Sequence, residues 1–244
     1  MKLNCDLGES FGVWQMPVDA AIMSQIDQAN IACSFHAGDP VVMKQALYLA
    51  KNNNVEVGAH PSYPDLQGFG RRSMAMHTKE LIACIQYQVS ALIGMATIVG
   101  VKVTYVKPHG ALYNDMMQNA QIRTAVMQAV ASINKGRLAL VVQSHRDNHL
   151  LLEEANEYGI KLVFEAFTDR RYTDEGFLLP RSQPGAVLNE SESLEQAKLL
   201  IEEGHVITVS GEKITLQADT LCVHGDTAGA VDIAQKIRAF INAE

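Results

Sequence analysis

The sequence predicts an α/β fold: a seven-stranded parallel β/α barrel built from a single domain over residues 1–244. Three observations carry that expectation. Short apolar runs alternate with amphipathic helical stretches along the whole chain, the pattern of a parallel sheet covered by helices. Nearly every apolar run ends in ionisable residues beside Gly or Pro, as in Val106-Lys107-Pro108-His109-Gly110. An open doubly wound sheet would concentrate such residues at its switch point, whereas a closed barrel gathers them from every strand end. Finally, 244 residues fit one barrel of about 200–250 residues, and no linker, repeat or low-complexity stretch divides the chain.

In chain order, residues 2–5 read as the first strand, leading to a loop with Asp6, Glu9 and Trp14 and a helix near 18–26. Residues 29–33 form the second strand. Asp39-Pro40 then starts a helix, Asp39 as N-cap and Pro40 at the first helical position, running to about residue 52. Strand three covers 55–59, followed by a Pro- and Gly-rich loop over 60–73. Thr78 caps a long helix whose Ile82, Ile85, Val89, Leu92, Ile93 and Ala96 recur at the helical period. Strand four covers 101–106, and Asn119 caps a helix carrying Ile122, Val126, Ala129, Val130 and Ile133. Strand five (138–142), a helix (150–158) stopped at Gly159, and strand six (161–164) follow. After an irregular stretch to about residue 188 comes a helix around 194–201, stopped at Gly204. A hairpin (206–209 and 213–216), strand seven (220–223) and a closing helix (227–241) complete the chain.

Composition excludes several classes of partner. A hydrophobic content of 48% supplies a sizeable core, while a net charge of −7 and the absence of Lys/Arg clusters argue against nucleic acid or an anionic membrane. No apolar run of about 18 residues is apparent and the start lacks an apolar signal core, so no membrane span is expected. The four cysteines, Cys5, Cys33, Cys84 and Cys222, are widely separated, which points to free thiols and a cytoplasmic location.

The strand ends nominate the site. Asp6, directly after a buried strand, is costly there unless paired, which favours a general base, a metal ligand or a partner to a cation. Asp39 is accounted for as a cap; His36 is not, and the helix N-terminus beside it is a place for a substrate anion. His60 is held extended by Pro61, and Gly68-Phe69-Gly70-Arg71 sets a guanidinium in the same loop. Lys107 and His109 alternate to one side, with a desolvated Lys107 open to a lowered pKa. Glu165, Asp169 and Arg170 open the stretch to 188, whose Phe177, Leu178, Leu179 and Val187 suit a packed lid. His224 and Asp226 close the set, whereas His77, His145, His149 and His205 read as surface residues. With no G-x-S-x-G elbow and no G-x-G-x-x-G, carboxylate–imidazole acid/base chemistry, with or without a metal, is favoured.

Asn4-Cys5-Asp6-Leu7-Gly8-Glu9, Phe35-His36-Ala37-Gly38-Asp39, Gly58-Ala59-His60-Pro61, Val106 to Asn114, Pro180-Arg181-Ser182-Gln183 and His224-Gly225-Asp226 together resemble the LamB/YcsF family, nearly end to end. The resemblance implies kinship with the glycoside hydrolase/deacetylase barrels. It further implies ATP-dependent opening of 5-oxoproline to L-glutamate, with ATP as cosubstrate, in a complex with 5-oxoprolinase subunits B and C. On that reading Asp6, His60 and His109 move protons or position water, and Lys107 stabilises developing negative charge. Arg71 or Arg170 holds a carboxylate or phosphate, among substrate contacts that take in Glu9, His36, Glu165, Asp169, His224 and Asp226. The sequence departs from the family at Cys5 (usually Ala), Ser34 (usually Gly) and Arg171 (often Gly). Deacetylase relatives hold a divalent ion with an Asp and two His. The H-x-x-x-H pair is missing because Pro64 stands four residues after His60, so a divalent metal stays open and unassigned. Two other readings remain: a metal-dependent deacetylase or amidohydrolase acting alone, and a non-catalytic barrel that binds a small acid.

Overall fold

The computed structural model describes residues 1–16, 19–133, 137–223 and 229–243. Its centre is a closed barrel of seven parallel strands: β1 (Lys2–Leu7), β2 (Gln28–Ala32), β3 (Glu56–His60), β4 (Val103–Val106), β5 (Ala139–Gln143), β6 (Leu162–Phe167) and β9 (Thr220–Val223). Each strand pairs with the next, and β9 closes the ring by pairing with both β6 and β1. The strands are buried almost throughout, as a sheet covered outside and filled inside requires.

The helices form the outer layer: α1 (Asp19–Ile22, continued by a 3₁₀ turn Met23–Gln25), α2 (Pro40–Asn53), α3 (Thr78–Val99), α4 (Gly110–Gln118), α5 (Ala120–Ser132), α6 (Asn148–Glu157), α7 (Glu190–Lys198) and α8 (Ala230–Ala243). Asp39 caps α2 as expected, its Oδ1 accepting from Val41 and Val42 N–H at 2.8 and 2.9 Å. Asn119 does the same for α5. The start of α3 differs: His77 occupies the cap position and Thr78 is the first helical residue. The hairpin of β7 (His205–Ile207) and β8 (Lys213–Thr215) stands as expected, antiparallel and apart from the barrel.

Helix α3 corrects one expectation. Over 22 residues it is long and apolar enough, by length and composition alone, to cross a membrane. Here Leu81, Ile85, Val89 and Leu92 form a buried stripe against the barrel, each such side chain contributing about 1.5–3 kcal/mol. Tyr87 and Ile98 face outward. Gly58 shows how tightly the interior is filled, since an added Cβ would lie 2.0 Å from the Tyr105 ring. That ring passes over β3 to β2, where its hydroxyl donates to Asn30 Oδ1 at 2.7 Å. On the rim after β1, Phe11 and Trp14 pair backbone to backbone and leave Trp14 66% exposed.

Candidate functional site

Polar side chains fill the C-terminal half of the barrel. Asn4 and Asp6 alternate on β1 and so face the same way, inward. Lys107, just past β4, carries its ammonium to the centre: Nζ lies 2.9 Å from Asp6 Oδ1, 2.8 Å from Glu165 Oε1 and 3.2 Å from both Asn4 Oδ1 and Cys222 Sγ. Asn30 Nδ2 donates to Asp6 Oδ1 and Asn4 Oδ1, both at 2.8 Å, and Tyr113 donates to Glu165 Oε2 at 2.8 Å. Burial works to lower the Lys107 pKa, but the neighbouring anions, Asp6 foremost, outweigh it and hold the amine well above the usual lysine value. The lowered pKa considered from sequence is therefore reversed. A buried cation between two carboxylates is tolerable because each charge is paired.

Above this triad lie three imidazoles. His60 Nδ1 is 2.6 Å from the Lys107 carbonyl and His109 Nε2 is 2.8 Å from the Phe69 carbonyl. A carbonyl only accepts, so each of those nitrogens carries the proton. The remaining nitrogens, His60 Nε2 and His109 Nδ1, face each other at 2.9 Å. Asp6 Oδ2 is 3.3 Å from His60 Nε2; Glu9 Oε1 is 3.5 Å from His109 Nδ1 and 3.1 Å from His36 Nε2. The His36 and His109 rings stack at 3.8 Å and 5°. Burial first, then the neighbouring imidazoles, pushes His36 and His109 well below the usual histidine value, so both rings are neutral near pH 7. Glu9, His36, His60 and His109 each offer one donor atom within 4.8 Å of the others, a set able to hold a metal ion.

The loop from β3 to α3 fixes this arrangement. His109 N–H donates to Pro61 O and Ala111 N–H to Gly70 O, both at 2.8 Å. Gly70 sits at φ +65°, where a Cβ would press within 2.8 Å of His109 and 2.9 Å of His36. His109 itself is the cap residue of α4, so one helix start sets its direction.

The model of the LamB/YcsF family matches residues 1–244. The chain belongs to the LamB/YcsF family. Among curated relatives of this LamB/YcsF chain, one from Vibrio campbellii (strain ATCC BAA-1116), named as the A subunit of 5-oxoprolinase, is 49% identical over 239 residues, covering 98% of this chain and 94% of the relative. A second of that name, from Pseudomonas fluorescens (strain Pf0-1), is 50% identical over 246 residues, covering 100% and 98%. Among solved structures, a lactam utilization protein from Thermus thermophilus superposes with a TM-score of 0.89 at 38% identity, covering 100% of this chain and 96% of that one. A putative cellobiose-phosphate cleavage protein from Enterococcus faecalis V583, at 10% identity and a TM-score of 0.52, shares the fold alone over 99% of this chain and 92% of that one.

Of the residues nominated from sequence, this LamB/YcsF barrel brings together Asp6, Glu9, His36, His60, Lys107, His109 and Glu165. Asp6, His60 and Glu165 lie inside their strands rather than after them. Arg71 is exposed, its guanidinium 4.9 Å over the Phe69 ring, and its charge acts on His36 and Arg170. Asp169 and Arg170 are buried. Arg170 Nη2 donates to Leu179 O at 2.6 Å and Nε to Ala186 O at 3.3 Å, so this guanidinium braces its own loop. Burial, then Arg181, lowers its pKa to about 10. His224 and Asp226 lie outside the described residues.

Other expectations are corrected. The N-terminus of α2 is not open to a substrate anion, because the Asp39 carboxylate fills it and also accepts from Gly12 N–H at 2.9 Å. Val187 is exposed rather than packed, although Leu178 and Leu179 are buried. His205 is buried, not superficial. Asn4, Asn30 and Tyr113 escaped the sequence reading; for the two asparagines, a buried amide inside an apolar strand was the available signal.

Proposed function

We propose that this chain is the A subunit of an ATP-dependent 5-oxoprolinase, opening the lactam of 5-oxo-L-proline to L-glutamate in the cytoplasm together with subunits B and C. The similarity near 50% identity, end to end, to relatives that carry the name of that subunit supports this reading most directly. The site supports it, with buried carboxylates, a fixed cation and imidazoles converging at the strand ends.

A lactam carbonyl is a weak electrophile. Transfer of the ATP γ-phosphoryl group to its oxygen gives an imidate phosphate. Water adds to the imidate carbon, the C–N bond breaks with a proton delivered to nitrogen, and an acyl phosphate remains. A second water then releases phosphate and the glutamate side-chain carboxylate. In this scheme His60 and His109 move protons or position the attacking water. Asp6 shares that role, and Lys107, 2.9 Å from Asp6, supplies the fixed positive charge beside the developing anion. Glu9, His36, Arg71, Glu165, Asp169 and Arg170, with His224 and Asp226, shape the substrate contacts, an arginine taking the carboxylate or a phosphate.

The deciding assay is 5-oxoproline-dependent ATP hydrolysis with and without subunits B and C. Turnover is expected only in the full assembly, and Asp6→Ala or His109→Ala should abolish it. Near-normal turnover by both variants would sink the site assignment. The Glu9–His36–His60–His109 cluster favours one other reading, a metal-dependent amidohydrolase. Lactam opening by the isolated chain without ATP would establish that instead.

A further inference from the structure

The contact between His60 and His109 needs an explanation that the hydrogen bonds alone do not give. Their outer nitrogens donate to the Lys107 and Phe69 carbonyls, which leaves two lone pairs pointing at one another across 2.9 Å. Two lone pairs at that distance repel unless something positive lies between them. A proton shared by the rings would account for that single contact. It would not account for Glu9 Oε1 and His36 Nε2 meeting at the same point. Three of the six separations, 2.9, 3.1 and 3.5 Å, bracket the edge of a tetrahedron with bonds of about 2.0–2.1 Å, which is about 3.3 Å, and all six are within 4.8 Å.

We propose that Glu9, His36, His60 and His109 bind one divalent transition-metal cation of the zinc class, with Asp6 left outside the ligand set. Three imidazole nitrogens and one carboxylate oxygen suit zinc and its first-row neighbours, while magnesium and calcium take oxygen ligands. The backbone carbonyls behind His60 and His109 perform the usual orienting service for metal-bound histidines, fixing tautomer and ring direction before any ion arrives. Asp6 Oδ1 accepts from Lys107 and Asn30 at 2.9 and 2.8 Å and its Oδ2 lies 3.3 Å from His60 Nε2, but Asp6 does not join the four residues whose donor atoms all lie within 4.8 Å of one another. The site therefore differs from the Asp–His–His set of the deacetylase barrels in taking its carboxylate from Glu9.

The test uses the purified full-length chain, stripped with a chelator and dialysed against equal concentrations of zinc, manganese and magnesium, then analysed for bound metal. About one zinc per chain is expected, and cobalt loading should give the visible absorption of a low-coordinate nitrogen–oxygen site. Glu9→Gln and His109→Gln should each weaken zinc binding by about tenfold or more with unchanged far-ultraviolet circular dichroism. Asp6→Asn should keep its zinc. A wild-type chain that retains no zinc overturns the proposal. So does retention by folded Glu9→Gln together with loss from folded Asp6→Asn. The measurement involves neither lactam, ATP nor partner subunits, so its failure leaves the 5-oxoprolinase reading standing, and the reverse holds too.

Discussion

The Lys107 ammonium lies within 2.9 Å of two buried carboxylates, Asp6 and Glu165. Lys107→Met removes the charge at similar volume and leaves Asp6 and Glu165 without their cation. A loss of about 3–5 kcal/mol is expected, read as a lower urea midpoint, with Glu165→Gln in the same chain restoring part of it. Ser34 offers the opposite sign. It sits at φ +72°, a region that disfavours any side chain. Ser34→Gly should therefore stabilise by about 1 kcal/mol in the same assay. Single residues were only partly legible in sequence. His60 and His109 stood out by their Pro and Gly neighbours, but Asn4 and Asn30 were hidden inside apolar runs. Their polarity matters only once β1 and β2 are known to face the Lys107 ammonium.

At the scale of elements, all seven barrel strands were legible, yet β1, β3 and β6 run one to three residues beyond their apolar runs. The inward positions near the C-terminal edge face the site rather than the core, so hydrophobicity stops before the strand does. Helix α4 was missed for a related reason. Pro108 and Gly110 disfavour a helix interior, whereas here Pro108 only precedes the cap and Gly110 opens the helix. Caps were more transparent, and Asp39 permits a signed prediction. Hydrogen bonds from the Val42 and Gly12 amides hold its carboxyl below the usual aspartate value. Asp39→Ala should cost about 1 kcal/mol at neutral pH, while Asp39→Asn costs less. Because the folded value is the lower one, the difference is complete above about pH 4 and disappears as pH falls through the folded value. Urea midpoints from pH 7 to pH 3 would show it; a constant difference across that range would contradict it.

At the scale of the whole molecule, closure through β9 gives every barrel strand a hydrogen-bonded neighbour on both sides. No edge remains from which the sheet can peel. We expect one cooperative unfolding transition in urea, with far-ultraviolet circular dichroism and near-ultraviolet tyrosine signals coincident, as for a single domain. Separate transitions would divide the hairpin of β7 and β8 from the barrel. Sequence reached this architecture because strand, helix and cap signals agreed. It nominated Glu9, His36 and His109 one by one, but the closeness of their donor atoms depends on the paths of the loops that carry them. The sole tryptophan has an unusual vantage here. Trp14 stands 66% exposed on the rim, outside the packed interior. Its emission will hardly register the melting of the core, so fluorescence followed alone would misjudge the molecule's stability. For the same reason it is a built-in optical reporter for anything that settles over the mouth.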